Sequence, residues 1–387
     1  VTIVDASVVD QQIHALIAQG RLEEAEAIVR PLLASGSGPI PLWRLLAQLS
    51  RQQGRLAETR AVQEMLVEAV PGDLSGRFDL AETLLLMGEF ERGWREYHYR
   101  YSLSHTTRIE RKVQRPRWDG RPMPGRPLLI HDEQGYGDTF QFIRMVAWAK
   151  ERSQAHVILE INRESLSLAE RCKGADELIV RGTLPPAFDV HCEMMSLPMV
   201  MGLKLDDLPG TIPYLSPSPT RVAKWRRRLA KLPRPLVCLV WAGRPAHHND
   251  ANRSMTLADL APLAMPGVTF LAVQKGPKAA EAKTPPAGMT LLALDDEIDD
   301  FEDTAAILSI ADLLISVDSS PVHLAGALGR PVWVLLPFIP DWRWLMDRAD
   351  TPWYPQTRLF RQSARGDWPG TLARMANELA ALRDKIR

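Results

Sequence analysis

Cysteine is scarce in this chain. Cys172, Cys192 and Cys238 are the only three among 387 residues, and none forms a C-x-x-C pair. That spacing excludes both a cysteine-rich zinc site and a disulfide framework, and it suits a reducing compartment. Net charge is missing too: Lys plus Arg and Asp plus Glu are 47 each. The molecule as a whole therefore has no field to attract nucleic acid or an anionic membrane, and any anion must be held locally. No uninterrupted apolar run reaches the roughly 18 residues of a membrane span. The opening VTIVDASVVDQQIHALIAQGRLEEAE lacks the basic segment and apolar core of a secretory leader. These absences predict a cytoplasmic protein with no nucleic-acid partner and no membrane span. A hydrophobic share of 45% and a charged share of 24% argue against disorder.

The length suggests two or three domains at roughly 150 residues each. A repeat fills the first part. Gly20, Gly54 and Gly88 lie 34 residues apart, each opening a similar phrase: GRLEEAEAIV, GRLAETRAVQ and GEFERGWREY. Two apolar-periodic stretches flank each glycine, 9–18 with 22–33, 42–52 with 56–69, and 76–87 with 90–101. The glycine would end the first helix of each pair in a left-handed conformation. Ala25, Thr59 and Gly93 share one register, where small side chains let helices approach. This period resembles the tetratricopeptide family, with Trp43, Leu46, Ala47, Gly54 and Pro71 as its best match and Ser50 a departure from the family's usual tyrosine. The resemblance implies a concave face suited to peptides or proteins.

At RPRWDGRPMPGRP, from Arg115, closely spaced prolines forbid helix and mark a boundary. Strands are expected at 127–133, 156–161 and 177–180 with helices between, the alternation of a parallel sheet. A second proline-rich stretch, 208–219, closes this unit. Further strands are expected at 236–243, 268–274, 289–294, 313–318 and 331–337. The boundaries read as 1–112 for the repeats, 113–219 for a first α/β unit and 220–387 for a second.

Residues able to hold a phosphate gather where strands end. In LLISVDSSPVHLAGALG an apolar strand runs into Asp318, Ser319 and Ser320, and a helix opens near Pro321 with His323 in its first turn. Hydroxyls and free N–H groups there make a phosphate seat, although the same residues are also ordinary helix caps. WAGRPAHHNDANRSMTLADL is a polar loop after a strand and carries Arg244, His247, His248, Asn249, Asp250, Asn252 and Arg253. It reads either as an anion contact or as a surface loop. His247 and His248 are adjacent with no matching carboxylate–histidine set nearby in sequence, so no metal is expected. Lys275 leaves another strand end and is a further phosphate candidate. DWRWLMDR, 341–348, brings Asp341 and Arg343 as possible cleft residues beside two tryptophans.

The string D-S-S-x-x-H-L-A-x-A-L-G-x-P resembles the C-terminal motif of ADP-heptose-type glycosyltransferases of the GT-B class. A bacterial group of tetratricopeptide glycosyltransferases follows it with a phrase like LLPFIPDWRWL, here 335–345. The likeness spans 116 to about 365 and, with the repeats, nearly the whole chain. It implies an α plus α/β architecture: helical repeats followed by two Rossmann-like domains, the last helix packing back on the first. It also implies that Asp318, Ser319, Ser320 and His323 contact a nucleotide-sugar donor. DEQGYGDTFQF resembles the family's glycine–Asp turn, so Gln134, Gly135 and Gly137 would face the cleft. Asp138 is the nominated general base, with helix capping as its other reading. Arg253 and Ser254 match the loop that meets the departing diphosphate. No DxD motif falls at a strand end in the second unit. The implied function is metal-independent transfer of a sugar to an acceptor, with a nucleotide-sugar as co-substrate, no cofactor, and a protein acceptor presented by the repeats. The competing readings are a non-catalytic protein-binding scaffold and a sugar-nucleotide epimerase or hydrolase.

Overall fold

The computed structural model describes residues 6–34, 36, 38–103, 114–246 and 249–386. The expected boundary at 112/113 and the paired His247 and His248 lie outside the described residues. Contacts divide the chain into two compact units, Val1–Arg108 with Ile339–Met346 and Ile109–Phe338 with Asp347–Arg387.

The first unit is helical: α1 (Ala6–Ala18), α2 (Leu22–Leu33), α3 (Ile40–Gln52), α4 (Leu56–Ala69), α5 (Leu74–Leu86) and α6 (Phe90–Tyr97). Each helix packs on the next. Gly20, Gly54 and Gly88 have φ of +74°, +79° and +82°, where any side chain is strained. The residue after each donates its N–H to a carbonyl five positions back: Arg21 to Leu16, Arg55 to Ser50, Glu89 to Leu84, all at 2.9 Å. This is the Schellman closure, repeated three times, and it turns the chain into the second helix of each pair. Ile13, Leu16, Ala25, Val29, Leu46, Ala47 and Leu49 share one buried core. At Gly93 an added Cβ would lie 2.8 Å from Leu85, so this contact needs the glycine.

Ile339–Met346, which the sequence places inside the second α/β unit, belongs with these helices. The reason is aromatic packing. Trp342 is buried edge-on against Trp94, with ring centroids 5.1 Å apart, and against Tyr97 at 6.2 Å. Asp341 and Arg343, read as possible cleft residues, pair with each other at 2.9 Å in this segment, and the Arg343 guanidinium lies over the Trp342 ring.

The second unit contains two parallel sheets. The first comprises β1 (Pro127–His131), β2 (His156–Ile161), β3 (Glu177–Val180) and β4 (Val190–Glu193), in the order β3-β2-β1-β4. The second comprises β5 (Leu236–Val240), β6 (Thr269–Ala272), β7 (Leu291–Ala293), β8 (Leu313–Val317), β9 (Val332–Leu336) and β10 (Thr357–Arg361), in the order β10-β9-β8-β5-β6-β7. Every strand pair in both sheets is parallel. Central strands such as β5 and β8 are buried along their whole length, as parallel strands covered on both faces must be. The final helix, Trp368–Ile386, is expected to pack back on the first α/β unit. It instead buries Leu372, Met375 and Leu379 with Leu257, Leu260 and Leu263 in the second sheet's core.

The two sheets belong to one compact unit and are tied by charge-assisted and backbone bonds. Arg144 donates to the carbonyls of Pro209, Gly210 and Trp353 at 2.6, 2.9 and 3.1 Å. Arg171 grips both oxygens of Glu302 at 2.6 Å. The Tyr214 hydroxyl donates to the Phe140 carbonyl at 2.9 Å. Among the described residues no helix is long and apolar enough to cross a membrane.

Candidate functional site

In the second sheet the chain runs β5, β6, β7 towards one edge and then crosses back to place β8, β9, β10 on the other side of β5. The strand order therefore reverses between β5 and β8. At such a reversal the loops leaving neighbouring strands diverge and leave a crevice at their carboxyl ends, where ligands of open α/β sheets bind. The Asp318–Ser320 turn leaves β8 and the Gly243–Ser254 loop leaves β5, so two of the expected contact segments flank this crevice.

The helices of this unit are α7 (Tyr136–Phe142), α8 (Met145–Ser153), α9 (Leu166–Ala169), α10 (Leu197–Met201), α11 (Pro219–Leu229), α12 (Asp250–Arg253), α13 (Phe301–Ile310) and α14 (Ser320–Ala327), and on the β8 side Ser319 is the N-cap of α14. Pro321 sits in the first turn of α14, where its missing N–H costs nothing. The Ser319 hydroxyl lies 3.1 Å from that of Ser316, and the Ser319 side chain makes no capping bond. First-turn N–H groups of α14 are thus not taken by the capping side chain. Asp318 and His323 are both buried, with His323 Nε2 3.9 Å from Asp318 Oδ1 and Nδ1 2.9 Å from the Tyr354 hydroxyl. The partner on Nδ1 fixes the ring's orientation.

The start of α7, from the first sheet, packs against α14. A Cβ on Gly137 would lie 2.9 Å from His323 Cδ2 and 3.5 Å from Ser320 Cα, so glycine sets how closely the two helix starts approach. The structure therefore brings Gly137, Ser320 and His323 together, with Asp318 and Ser319 adjoining. Asp138 follows at the third helical position. Its Oδ2 accepts the Gly135 N–H at 2.9 Å, so the carboxylate does serve the helix start. Gln134 is half-buried and Gly135 exposed in the same turn. Behind them Asp132 Oδ2 accepts the backbone and side-chain N–H groups of Asn162, each at 2.7 Å, while burial raises the Asp132 carboxyl.

On the β5 side, Arg253 and Ser254 are held by Asp250. Ser254 Oγ donates to Asp250 Oδ1 at 2.8 Å and accepts the Gly243 N–H at 2.8 Å; Arg253 Nε reaches the same carboxylate at 3.4 Å. The Arg253 guanidinium lies where a Cβ on Gly243 would be, 2.6 Å from Nη2, so it folds onto the loop backbone. Asn249 accepts from Asn252 at 2.6 Å. Arg244 is exposed; burial and Glu164 raise the Tyr136 phenol, and the Arg244 guanidinium opposes them. Lys275 is less available, because it donates to the carbonyls of Asp295 and Ile298 at 2.6 and 2.9 Å.

Three contributors escaped the sequence. Buried Gln274 accepts the N–H groups of Trp241 and Ala242 at 3.0 and 2.9 Å, which shapes the loop after β5. Its place at the end of an apolar strand was the available signal. Tyr354 supports His323 and packs its ring on Gly326, where a Cβ would lie 2.4 Å away. Phe301, at the start of α13, meets Tyr136 and Phe140 with ring centroids 4.8 and 4.9 Å apart. Both aromatics lie far along the chain from the residues they touch, and no local pattern marks them.

No family model matches the chain. Protein FlbA of Caulobacter vibrioides is 29% identical over 344 residues, 81% of this chain and 56% of that protein, so the chain spans little more than half of its curated relative. Among solved structures, the ADP-heptose lipopolysaccharide heptosyltransferase II of E. coli is similar with a TM-score of 0.52 at 14% identity, covering 67% of this chain and 99% of that one. That likeness shows a shared fold. A family 9 glycosyltransferase from Veillonella parvula is similar at a TM-score of 0.47 and 11% identity, over 63% of this chain and 88% of that one.

Proposed function

We propose that the protein is a nucleotide-sugar-dependent glycosyltransferase of the GT-B plan, with the donor's diphosphate seated at the reversal between β5 and β8. The observation that carries this reading is the close meeting of the α14 start, bearing Ser319, Ser320 and His323, with Gly137 of α7 at that crevice. Backbone N–H groups and the positive end of the α14 dipole favour a phosphate there. Arg244 and Arg253 leave the adjacent strand and supply cations for the departing diphosphate without a metal. The shared fold with a heptosyltransferase is consistent with this assignment.

In the proposed reaction an acceptor hydroxyl attacks C1 of the sugar. The new C1–O bond forms as the bond from C1 to the phosphate oxygen breaks, and the nucleoside diphosphate leaves with that electron pair. The hydroxyl proton passes to Asp138, whose carboxylate is oriented by the Gly135 N–H. The helical unit is proposed to present a protein or peptide acceptor.

A thermal-shift screen of ADP-, UDP-, GDP-, dTDP- and CMP-sugars identifies the donor, since a ligand at a hundred times its Kd adds about 2.7 kcal/mol. Asp138→Asn should then lower turnover by about 10²- to 10⁴-fold while donor stabilisation persists. Unchanged turnover would remove Asp138 from the mechanism. Donor consumption that proceeds fully without acceptor would favour an epimerase or hydrolase, and binding of a protein partner without any donor would favour a scaffold.

A further inference from the structure

The first sheet has a strand-order reversal of its own, and it carries a different chemistry. The chain runs β1, β2, β3 to one edge and then places β4 on the other side of β1. We propose that this reversal holds a divalent transition-metal ion, ligated by His131, His191 and Glu193, and that the ion ties the carboxyl ends of β1 and β4 together beneath the turn leading to α7.

His131 is the last residue of β1 and lies in register with Glu193, the last residue of β4. His191 precedes Glu193 by two positions, so the two side chains share one face of the strand. All three residues are only 2–3% exposed, and one donor atom from each lies within 4.8 Å of the others. His131 Nε2 is 3.2 Å from His191 Nδ1, and His191 Nδ1 is 3.9 Å from Glu193 Oε1. Around a tetrahedral ion with bonds of about 2.0–2.2 Å, donors stand roughly 3.3–3.5 Å apart. The imidazole pair, at 3.2 Å, stands just inside that spacing, and the carboxylate, at 3.9 Å, just outside it. Two imidazoles and one carboxylate with open positions suit zinc or ferrous iron.

Arg117 completes the arrangement from outside. Its Nε donates to both Glu193 oxygens at 2.9 and 3.2 Å, and Nη2 lies 2.9 Å from Oε1. A carboxylate has about four lone-pair sites, so these bonds orient Glu193 without using its whole acceptor capacity. The other occupant of the 3.2 Å gap is a proton shared by the two rings, whose centroids are 5.4 Å apart with planes 21° from parallel.

The test uses the full chain, stripped with a chelator and reloaded with Zn(II) or Co(II), then desalted. Elemental analysis should find about one equivalent per chain, Co(II) should give the absorption of a low-coordinate nitrogen–oxygen site, and Tm should rise on reloading. His131→Gln and His191→Gln should each retain under about a tenth of that metal, whereas the exposed His156→Gln retains it fully. Wild-type loading and the Co(II) spectrum do not depend on any variant folding. It is overturned if wild type retains no metal and shows no Tm rise, which leaves only a shared proton, or if both glutamine variants keep the full equivalent.

Discussion

The two strand-order reversals of the α/β unit share a topology and differ in the side chains that line them. Between β5 and β8 the crevice is built from Ser319, Ser320, a helix start and the Arg244 and Arg253 loop, a setting for an anion. Between β1 and β4 it is built from two buried imidazoles and a carboxylate gripped by Arg117, a setting for a cation. One backbone topology thus occurs twice, and side-chain choice at the strand ends distinguishes the two reversals.

Substitutions should break the two in different ways. Gly326→Ala drives a Cβ to 2.4 Å from the Tyr354 ring, so the ring must move and release His323. A loss of about 3 kcal/mol is expected from urea unfolding, at the upper end of overpacking costs, together with weaker nucleotide binding and no change in metal content. Tyr354→Phe keeps the ring and removes only the hydroxyl, so it should cost about 1 kcal/mol. Equal losses from the two variants would show that packing on Gly326 is slack.

Arg117→Met strikes the other crevice, leaving buried Glu193 without its guanidinium. A destabilisation of about 2 kcal/mol is expected, reduced from the fully buried case because Arg117 is 40% exposed. The pH dependence carries a sign. The folded Glu193 carboxyl sits at about 2, below its ordinary 4.5, so its contribution is complete above 4.5 and is lost as pH falls towards 2. Arg117→Met should flatten acid unfolding in that window, whereas Gly326→Ala should lower stability evenly across it. The smallest effect is expected away from both crevices. Gly54→Ala, at φ +79°, should cost about 1 kcal/mol in unfolding and leave nucleotide affinity unchanged.

The strand and helix that meet at the β5–β8 reversal were far more legible in the sequence than those of the β1–β4 reversal. The run LLISV is apolar throughout, and the Asp318–Ser319–Ser320–Pro321 string that follows announces a helix start. β4 was missed because VHCE reads as a polar fragment, although His191, Cys192 and Glu193 are all buried. β10 was missed for a related reason, since arginines break its short apolar core. Without β4 the reversal in the first sheet has no partner strand, and His131 looks like the end of an apolar run. A long-range aromatic contact likewise places Ile339–Met346 with the helices, because Trp342 finds Trp94 some 250 residues earlier, and nothing local encodes that pairing. The 34-residue glycine period was readable because its cause is local: each glycine closes its own helix.

The most direct test of the account is nucleotide-sugar binding by Ser319→Asp. Aspartate caps a helix as well as serine does, so α14 should persist, but a carboxylate at its start repels a diphosphate. Calorimetric titration with the donor found by the thermal screen should show affinity falling by about a hundredfold or more, roughly 2.7 kcal/mol, with Tm of the free protein nearly unchanged. Donor affinity equal to wild type in a folded Ser319→Asp protein would contradict a diphosphate seat between β5 and β8.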